Sequence, residues 1–483
     1  MLAAAKRKSL IRRRVSRAAG LAVLIGSWML LASAPAHASK TEWTMFEDHP
    51  SLVRSGPAIR QATLDTIKRL GADTLRIELK WAEVAPRPGA KRKPRFTATD
   101  PSAYPGFEPY DDLVRRAVSM GFRVMITLAP DAPRWATARG RGRNYRVNAK
   151  QFGAFARAAG RRYSGTYRGL PAIRYWSIWN EPNHIFFISP RAQAPAIYRG
   201  MVAQGIPALR ATAPRGSKIF VGELAPVGTA TKVIGPLRFL RGWLCLNGRW
   251  KRVRGGSCRH FKKVKADGFA HHPYGPTTRV PARRDIIGML AIRRLGAALD
   301  RAKRAGRINR LDIYSTEFGY QTNPPDPFVS TSPARQAELL NSMEEYSYRY
   351  SRLKSYSQYL MFDDRARSGS SALRWAGFQT GLRFANGRTK PSFEAFKLAL
   401  VVHKRGGGVS IWGHVRPGSS TRYAQLQHLA GGRFANAGPP VKTNAGGYFT
   451  ARRGGRGRFR YEGFGGPPSA ATSLGFSRVA VPR

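Results

Sequence analysis

Two glutamates stand directly after short apolar runs, and their side chains are suited to acid–base chemistry. Glu181 follows the run of residues 173–179, and Glu317 lies just beyond the run of residues 312–315. A pair of carboxyl groups can cleave a glycosidic bond, because one protonates the leaving oxygen while the other attacks or stabilises the oxocarbenium-like centre. Such chemistry requires a fold that brings the ends of the two runs together.

Apolar or β-branched runs alternate with helical patterns between residues 43 and 403. The runs are residues 44–46, 75–79, 123–128, 175–179, 219–222, 268–271, 312–315 and 357–362. The helical patterns are residues 64–70, 110–120, 152–163, 196–209, 286–305, 334–348 and 392–402. Repeated alternation of strand and helix indicates parallel strands with right-handed crossovers, and eight such units fit a closed barrel.

The sequence therefore predicts an α/β fold, a (β/α)8 TIM barrel over residues 39–404. An open, doubly wound sheet is the alternative, but no glycine-rich phosphate-binding turn follows an early strand. In a barrel the reacting groups lie where the strands end, at the carboxyl face. Because Glu181 and Glu317 both follow predicted strands, we expect them to face each other across the barrel mouth.

A second domain is predicted over residues 405–483. The final barrel helix is expected to end at the basic, glycine-rich residues 404–408, and alternating stretches then predict a small all-β sandwich. Its predicted strands are residues 409–415, 422–427, 448–451, 458–461 and 477–481. The aromatic residues of this region either stack on sugars or form the core, and its small size favours the core; they are Trp412, Tyr423, Phe449 and Tyr461.

The first 38 residues are typical of a secretion signal. Basic residues precede the uncharged apolar run 18–32, and Ala36-His37-Ala38 resembles a cleavage site. An uncleaved anchor is the alternative, but the run is short for a membrane span of roughly 20 residues. We therefore expect a secreted, extracellular protein, free or associated with the cell wall, that has no transmembrane segment after cleavage.

The sequence contains two cysteines, Cys245 and Cys258. Both follow the predicted signal and would lie in a compartment where disulfides persist, so we expect them to pair. Two isolated cysteines without nearby ligands at metal spacing do not indicate a zinc site. The sequence thus predicts a disulfide and no metal centre here.

The chain is strongly basic, since 83 Lys and Arg residues against 27 Asp and Glu residues give a formal net charge of +56. Such a charge suits an anionic cell-envelope polymer, an acidic polysaccharide or a nucleic acid, and export argues against nucleic acid. The basic residues are spread along the whole chain. A solvated, arginine-rich surface without a specific partner is therefore the alternative.

Residues 176–183, whose Asn-Glu-Pro triplet contains Glu181, resemble the strand-four signature of glycoside hydrolase clan A. This group of barrel enzymes includes family 5 cellulases and family 39 xylosidases, and the resemblance in element order covers most of residues 43–403. It implies a retaining mechanism in which Glu181 is the acid/base and Glu317 is the nucleophile. It also implies that Asn180 hydrogen-bonds the sugar 2-hydroxyl.

Further residues match the clan by position. Arg76, on the second predicted strand, matches an arginine beside the nucleophile, where its positive charge would keep Glu317 ionised. His272 and Tyr274 follow the sixth predicted strand, where clan members hold a histidine and a tyrosine near the nucleophile. The resemblance implies neither a metal ion nor an organic cofactor.

Aromatic residues near the strand ends are candidates for sugar binding. Trp81 and Trp135 follow the second and third predicted strands, and each is either a platform for the apolar face of a sugar or a buried anchor of its loop. Many clan members carry a tryptophan at the end of strand eight, whereas residues 360–365 contain none. This departure bears on the floor of the subsite that holds the cleaved sugar.

Other carboxylates compete for roles in the site, namely Glu78, Glu83, Glu223, Asp131, Asp363 and Asp364. Glu78 is interpreted as structural or as a member of an ion pair, and Glu223 and Asp363 as candidates for substrate subsites. The first hypothesis for function is a secreted retaining hydrolase of β-linked oligo- or polysaccharides without a cofactor. The second is a carbohydrate- or envelope-binding protein that kept the barrel and lost useful turnover.

Overall fold

Parallel strands form the first and larger part of the fold. The computed structural model describes residues 42–142, 144–275, 280–283, 285–329, 331–417 and 421–483, so the expected secretion signal lies outside the described residues. The strands lie in the order β7-β6-β5-β4-β3-β2-β1-β8. They are β1 Trp43–Glu47, β2 Thr74–Lys80, β3 Arg123–Ala129, β4 Tyr175–Ile178, β5 Lys218–Leu224, β6 Gly268–His271, β7 Ile313–Ser315 and β8 Ser355–Tyr359. The predicted TIM barrel is confirmed.

The barrel closes between β7 and the residues that lead into β8. The Ile313 nitrogen donates to the Arg352 oxygen at 2.9 Å, and the Lys354 nitrogen donates to the Ile313 oxygen at 2.8 Å. Two residues further along β7, the Ser355 hydroxyl donates to the Ser315 backbone oxygen at 2.7 Å. These bonds bring the loop after β7 next to the loops of the earlier strands.

The barrel interior is apolar towards the amino ends of the strands and polar towards their carboxyl ends. Met45 and Met125 belong to an apolar cluster inside the barrel. Because side chains alternate along a strand, Glu47 and Thr127, two positions further on, share the inward face. Phe46, between Met45 and Glu47, belongs to the core outside the barrel. Polar side chains therefore collect at the carboxyl end, where a site is expected.

Helices cover the outside of the barrel, and each buries an apolar face. In α5, Phe152, Phe155 and Ala159 are buried, and the Asn148 side chain caps the helix by accepting from the Gln151 nitrogen. The helices of the described chain are α1 His49–Leu52, α2 Pro57–Arg69, α3 Trp81–Val84, α4 Glu108–Ser119, α5 Ala149–Arg162, α6 Ala194–Thr212, α7 Pro236–Trp243, α8 Ile292–Arg304, α9 Pro333–Tyr348, α10 Ser371–Arg374 and α11 Pro391–Lys397. Among the described residues, no helix has the length and apolar character to cross a membrane.

Two antiparallel sheets follow the barrel and enclose a second apolar core. One has the order β14-β10-β9 and the other β12-β11-β15-β16, with β13 paired to β11. The strands are β9 Leu398–Arg405, β10 Gly408–Val415, β11 Tyr423–Ala430, β12 Arg433–Asn436, β13 Val441–Lys442, β14 Tyr448–Gly454, β15 Phe459–Phe464 and β16 Ser473–Phe476. Their shared core includes Ile411 and Phe449. The predicted all-β fold of this region is confirmed, whereas its division from the barrel as a separate domain stays a prediction.

Two boundaries in this region differ from the prediction. The helix predicted over residues 392–402 ends at Lys397, and β9 begins at Leu398. Residues 398–402 are apolar throughout, and a short apolar run cannot be assigned to helix or strand by periodicity alone; pairing with β10 decides it. The strand predicted over residues 477–481 is also displaced, since β16 ends before it and Ala480 forms only an isolated bridge.

A disulfide bond joins Cys245 and Cys258, as predicted, with Cα atoms 5.7 Å apart. It closes a loop that follows α7. The Arg307 side chain donates to the backbone oxygens of Cys245 and Val253 at 3.3 and 3.1 Å, which ties the base of this loop to the end of α8.

Candidate active site

The structure brings Glu181 and Glu317 together at the carboxyl end of the barrel. Glu181 follows β4 and Glu317 follows β7, and a carboxylate oxygen of each lies within 4.8 Å of the other. The Glu181 nitrogen donates to the Glu223 oxygen at 2.9 Å, which fixes the backbone of Glu181. The Glu181 side chain is 17% exposed, and that of Glu317 is 9% exposed. Both groups are thus sheltered yet reachable from the barrel mouth.

The buried Arg76 guanidinium, on β2, holds several side chains of the site in place. It donates from Nη1 to Glu317 Oε1 at 2.9 Å and to Glu47, and from Nη2 to Asn180 Oδ1 at 2.7 Å. Its Nε donates to the Thr127 hydroxyl at 3.1 Å. Within the described chain, the amide nitrogen of Asn180 has no hydrogen-bond partner, so it is free to bind a ligand.

The ionisation of Glu317 depends on two opposing effects. Burial raises the pKa of the Glu317 carboxyl, while the positive charges of His272 and Arg76 lower it and the charge of Glu181 raises it again. Burial is the largest effect, and the net pKa is raised. The expectation that Arg76 keeps Glu317 ionised is therefore incomplete, because His272 contributes more than Arg76 to the stabilisation of the carboxylate.

His272 lies between three carboxylates. Its Nδ1 is 3.1 Å from Glu181 Oε1 and 3.5 Å from Glu317 Oε2, and its Nε2 is 2.8 Å from Glu223 Oε2. Burial disfavours the charged ring, but Glu317, Glu181 and Glu223 outweigh burial and raise the pKa of His272 to about 10. At neutral pH the ring is an imidazolium that donates from both nitrogens.

Glu223 lies beneath the candidate site and contacts His272, an arrangement that the sequence analysis did not predict. It is fully buried at a bulge of β5 and accepts from the Thr316 hydroxyl at 2.6 Å and from the Thr127 hydroxyl at 3.1 Å. Burial opposes its ionisation, yet Arg76 and His272 lower the pKa of Glu223 to about 2. The interpretation of Glu223 as a subsite residue is wrong, because no sugar can reach it.

Tyr274 connects the nucleophile candidate to an aromatic wall. Its hydroxyl donates to Glu317 Oε2 at 3.2 Å. Its ring is stacked with Phe318 and Phe378 at centroid distances of 6.4 Å, and Tyr359 meets it edge-on at 6.4 Å. Tyr359 ends β8 and Phe378 lies in the following loop. Aromatic side chains are therefore present near the end of strand eight, where the sequence contains no tryptophan.

The barrel resembles that of solved glycosidases, although no protein-family model and no curated protein matches the chain. A glucosidase from Croceicoccus marinus is 12% identical, with a TM-score of 0.52 over 86% of this chain and 94% of that chain. A β-glycosidase from Pyrococcus horikoshii is 14% identical, with a TM-score of 0.48 over 74% and 92%. A β-glucosidase from Thermotoga maritima in complex with glucoimidazole is 14% identical, with a TM-score of 0.46 over 74% and 96%. The chain shares the barrel fold of the Croceicoccus marinus glucosidase.

The two tryptophans predicted near the site lie in the core. Trp81 is fully buried in α3 and stacks on Phe155 of α5 at 5.2 Å. Trp135 is 8% exposed, packs edge-on against Trp81 at 5.8 Å and donates to the Pro86 oxygen at 3.1 Å. Trp81 therefore offers no face to a sugar, and both residues anchor their loops.

The remaining carboxylates make structural contacts. Glu78 pairs with Lys80 at 3.5 Å, which confirms its interpretation as an ion-pair member. Asp363 forms a buried ion pair with Lys390 at 2.7 Å, and burial raises the pKa of Asp363 to about 6. Its interpretation as a subsite residue is wrong, because its carboxylate has no exposed surface. Other contacts are those of Glu83 with Arg54, Asp131 with Asn144, and Asp364 with the Phe378 nitrogen.

Two sets of side chains have ligand atoms close enough to hold a metal ion, Glu181 with His272 and Glu317, and Glu47 with Glu78 and Glu317. In the first set, the two ring nitrogens of His272 lie within hydrogen-bond distance of Glu181 and Glu223. In the second, Arg76 already contacts Glu47 and Glu317 and supplies the positive charge.

Proposed function

We propose that the protein is a secreted retaining glycoside hydrolase that cleaves a β-linked glycan. The observation that carries the proposal is the close approach of two carboxylates at the mouth of the barrel, since one oxygen of Glu181 lies within 4.8 Å of one oxygen of Glu317. Retaining enzymes hold the two carboxyl groups about 5 to 5.5 Å apart, and inverting enzymes about 6.5 to 9.5 Å to admit a water molecule. An approach this close favours the retaining class over the inverting one.

The reaction then follows from the contacts of the two glutamates. Glu181 accepts from His272 through Oε1, and its Oε2, which has no partner among the described residues, protonates the leaving glycosidic oxygen. Glu317 attacks the anomeric carbon and forms a glycosyl ester as the alcohol departs. Glu181, now a carboxylate, takes a proton from water, which attacks the same carbon and frees Glu317. Two displacements leave the anomeric configuration unchanged.

Neighbouring side chains support these roles. Arg76 and Tyr274 each bind one oxygen of Glu317, which aims the carboxylate. Arg76 also holds the Asn180 oxygen, so the amide nitrogen points away to meet a sugar 2-hydroxyl. The fold similarity to glycosidases agrees with clan A as a whole and does not single out family 5 or family 39.

The test is hydrolysis of a panel of aryl β-glycosides by the wild-type protein and by Glu317→Ala, with and without azide. We expect the variant to lose at least about 10⁴-fold in kcat, and azide to restore turnover with a glycosyl azide of inverted configuration as product. Glu338→Ala, at an exposed position on α9, is the matched control. A Glu317→Ala variant as active as wild type would refute the assigned nucleophile.

A second candidate function is adhesion to an anionic polymer of the cell envelope. A cleft of about 480 Å³ in the carboxyl-terminal sheets is lined by Arg405, Arg452 and Arg453, and no acidic side chain is among its described lining residues. Co-sedimentation with an acidic cell-wall polymer at low and high salt, for wild type and Arg452→Ala/Arg453→Ala, tests this function. If no glycoside is cleaved and the wild type alone binds, adhesion replaces hydrolysis as the proposed function.

A further inference from the structure

Large apolar side chains are exposed on loops that follow the barrel strands. Phe186 is 63% exposed on the loop after β4, and Phe328 is 64% exposed on the loop after β7. Leu373 and Phe378, on the loop after β8, are 51% and 43% exposed. Since all these loops leave the carboxyl ends of parallel strands, they border the same barrel mouth. We call these four residues the apolar rim.

The apolar rim is continuous with the candidate active site. Phe378 is stacked with Tyr274, whose hydroxyl donates to Glu317. Phe186 lies 4.7 Å, centroid to centroid, from the His184 ring, and the His184 nitrogen donates to the Glu181 oxygen at 2.8 Å. Two of the four rim residues, Phe186 and Phe378, therefore lie next to residues that contact Glu181 or Glu317.

Basic side chains accompany the apolar rim. The Lys232 ammonium lies over the Phe186 ring at 5.9 Å, and the Arg374 guanidinium lies 5.9 Å from the Trp375 ring. Exposed basic residues also occupy the β8 loop and the loop after β2, on another side of the mouth; they are Arg365, Arg367, Arg87, Lys91, Arg92, Lys93 and Arg95. Exposed aromatic and aliphatic tips beside Lys and Arg are typical of surfaces that lie at an anionic lipid interface.

We propose that the apolar rim seats the barrel mouth on an anionic lipid surface, and that the substrate is the sugar headgroup of a glycolipid. The second half of this inference rests on the proposed hydrolase function. The rim side chains enter the interface, the neighbouring cations meet lipid phosphates, and the mouth faces the headgroups. A protein partner is less favoured, because the apolar side chains are separate loop tips with adjacent cations rather than one concave patch.

Binding is tested by co-sedimentation of the full chain with vesicles of equimolar phosphatidylglycerol and phosphatidylcholine. We expect Phe186→Ser/Phe328→Ser/Leu373→Ser to bind about tenfold or more weakly than wild type, because each side chain no longer leaves water. Val118→Ser is the matched control, since Val118 is 36% exposed in the last turn of α4, which leads into the amino end of β3 on the opposite side from the mouth. Equal binding of the triple variant, or absence of wild-type binding, overturns the proposal and leaves a protein partner as the explanation of the rim.

Hydrolysis rates on two substrates distinguish a failure of this inference from a failure of the proposed function. The substrates are a long-chain alkyl β-glycoside in the same vesicles and a soluble aryl β-glycoside. We expect the triple variant to lose about tenfold in kcat/KM on the vesicle substrate and to keep its activity on the soluble one. An equal loss on both substrates contradicts the role of the rim. If wild type cleaves neither substrate, the hydrolase proposal fails, and the vesicle-binding result still decides the docking surface.

Discussion

His272 connects the candidate acid/base to the candidate nucleophile. It contacts Glu181, Glu317 and Glu223, and these carboxylates raise the pKa of His272 to about 10 in spite of burial. The positive charge of His272 lowers the pKa of Glu317 and so favours its carboxylate form. We therefore expect His272 to act as a positioning residue whose charge extends the pH range in which Glu317 is ionised.

Replacement of His272 by glutamine keeps a polar side chain and removes the charge. Because the His272 charge lowers the pKa of Glu317, its loss raises that pKa, and Glu317 becomes protonated at a higher pH. The acidic limb of the pH profile of kcat/KM therefore moves to higher pH, and kcat falls roughly 100-fold. The measurement is a pH–rate profile on an aryl glycoside. His260→Gln, at an exposed position, should leave the profile unchanged, and an unmoved limb in His272→Gln contradicts the assigned role.

Glu223 makes the stability of the protein depend on acid pH. Its folded-state pKa is lowered to about 2 from an ordinary value of 4.5. The stabilisation is therefore present above about pH 4.5, amounts to about 3 kcal/mol, and is lost as pH falls towards 2. Urea unfolding should show Glu223→Gln less stable than wild type by about this amount at pH 7. The difference should shrink between pH 4.5 and 2, and a pH-independent difference, like that of the exposed Glu394→Gln control, refutes the assignment.

The sequence identifies the residues whose positions depend on strand ends and misses those that depend on packing. Glu181 and Glu317 follow strands, and the barrel fold alone brings them together. Trp81 also follows a strand, but its side chain is buried against the Phe155 ring of α5. Because Phe155 is distant in sequence, no local pattern predicts this contact. Glu223 acts through a bulge, and a bulge leaves no periodic signal.

At the scale of elements, the bulge in β5 aims both the side chain and the backbone of Glu223. The pairing of β5 with β6 shifts register between Gly222 and Leu224. Gly222 has a φ of 114° and Glu223 a φ of 49°. The Glu223 carboxylate consequently reaches His272 inside the barrel while its carbonyl accepts from the Glu181 nitrogen. The bulge therefore positions Glu181 in two ways, through the bond to its backbone nitrogen and through the His272 ring that both glutamates contact.

Gly222→Ala tests the bulge. An added Cβ would lie 2.5 Å from the Ala270 oxygen and 2.8 Å from the Phe269 ring, and the positive φ is unfavourable for alanine. We expect a loss of about 2 to 4 kcal/mol in the free energy of unfolding, together with reduced kcat. Gly89→Ala, where nothing lies within 4 Å, should change stability by no more than about 0.5 kcal/mol. Equal stability of the two variants contradicts a constrained bulge.

Element boundaries follow the sequence where polar turns separate the runs and fail where they do not. The predicted bounds of the barrel strands agree with the structure to within a few positions, and turn or loop residues follow every one of these strands except β2, which passes directly into α3. Residues 391–405 contain no such break, so α11 passes into β9 at Leu398 without a loop. Pairing of β9 with β10, a tertiary contact, determines the change from helix to strand.

At the scale of the whole molecule, α9 joins the barrel to the carboxyl-terminal sheets. Glu344, on α9, is buried and accepts from Arg416 and, at 2.6 Å, from His414. Burial and the charge of Arg416 lower the pKa of His414 to about 4, so His414 is neutral at pH 7. The Tyr348 ring lies 4.3 Å from the Tyr448 ring in the same contact. Polar and aromatic contacts thus connect two apolar cores that are otherwise distinct.

Glu344→Ala tests whether the two cores unfold together. The variant leaves the Arg416 guanidinium buried without its carboxylate, and such a change costs about 3 to 5 kcal/mol. If the contact couples the barrel to the sheets, thermal unfolding stays a single transition at a lower Tm, because both cores lose the same stabilisation. Glu338→Ala, one turn and a half earlier on α9 and 43% exposed, removes a carboxylate from the same helix and should leave Tm unchanged. Calorimetry that resolves two transitions in Glu344→Ala, with the barrel transition at the wild-type Tm, would show that the sheets depend on this contact and the barrel does not.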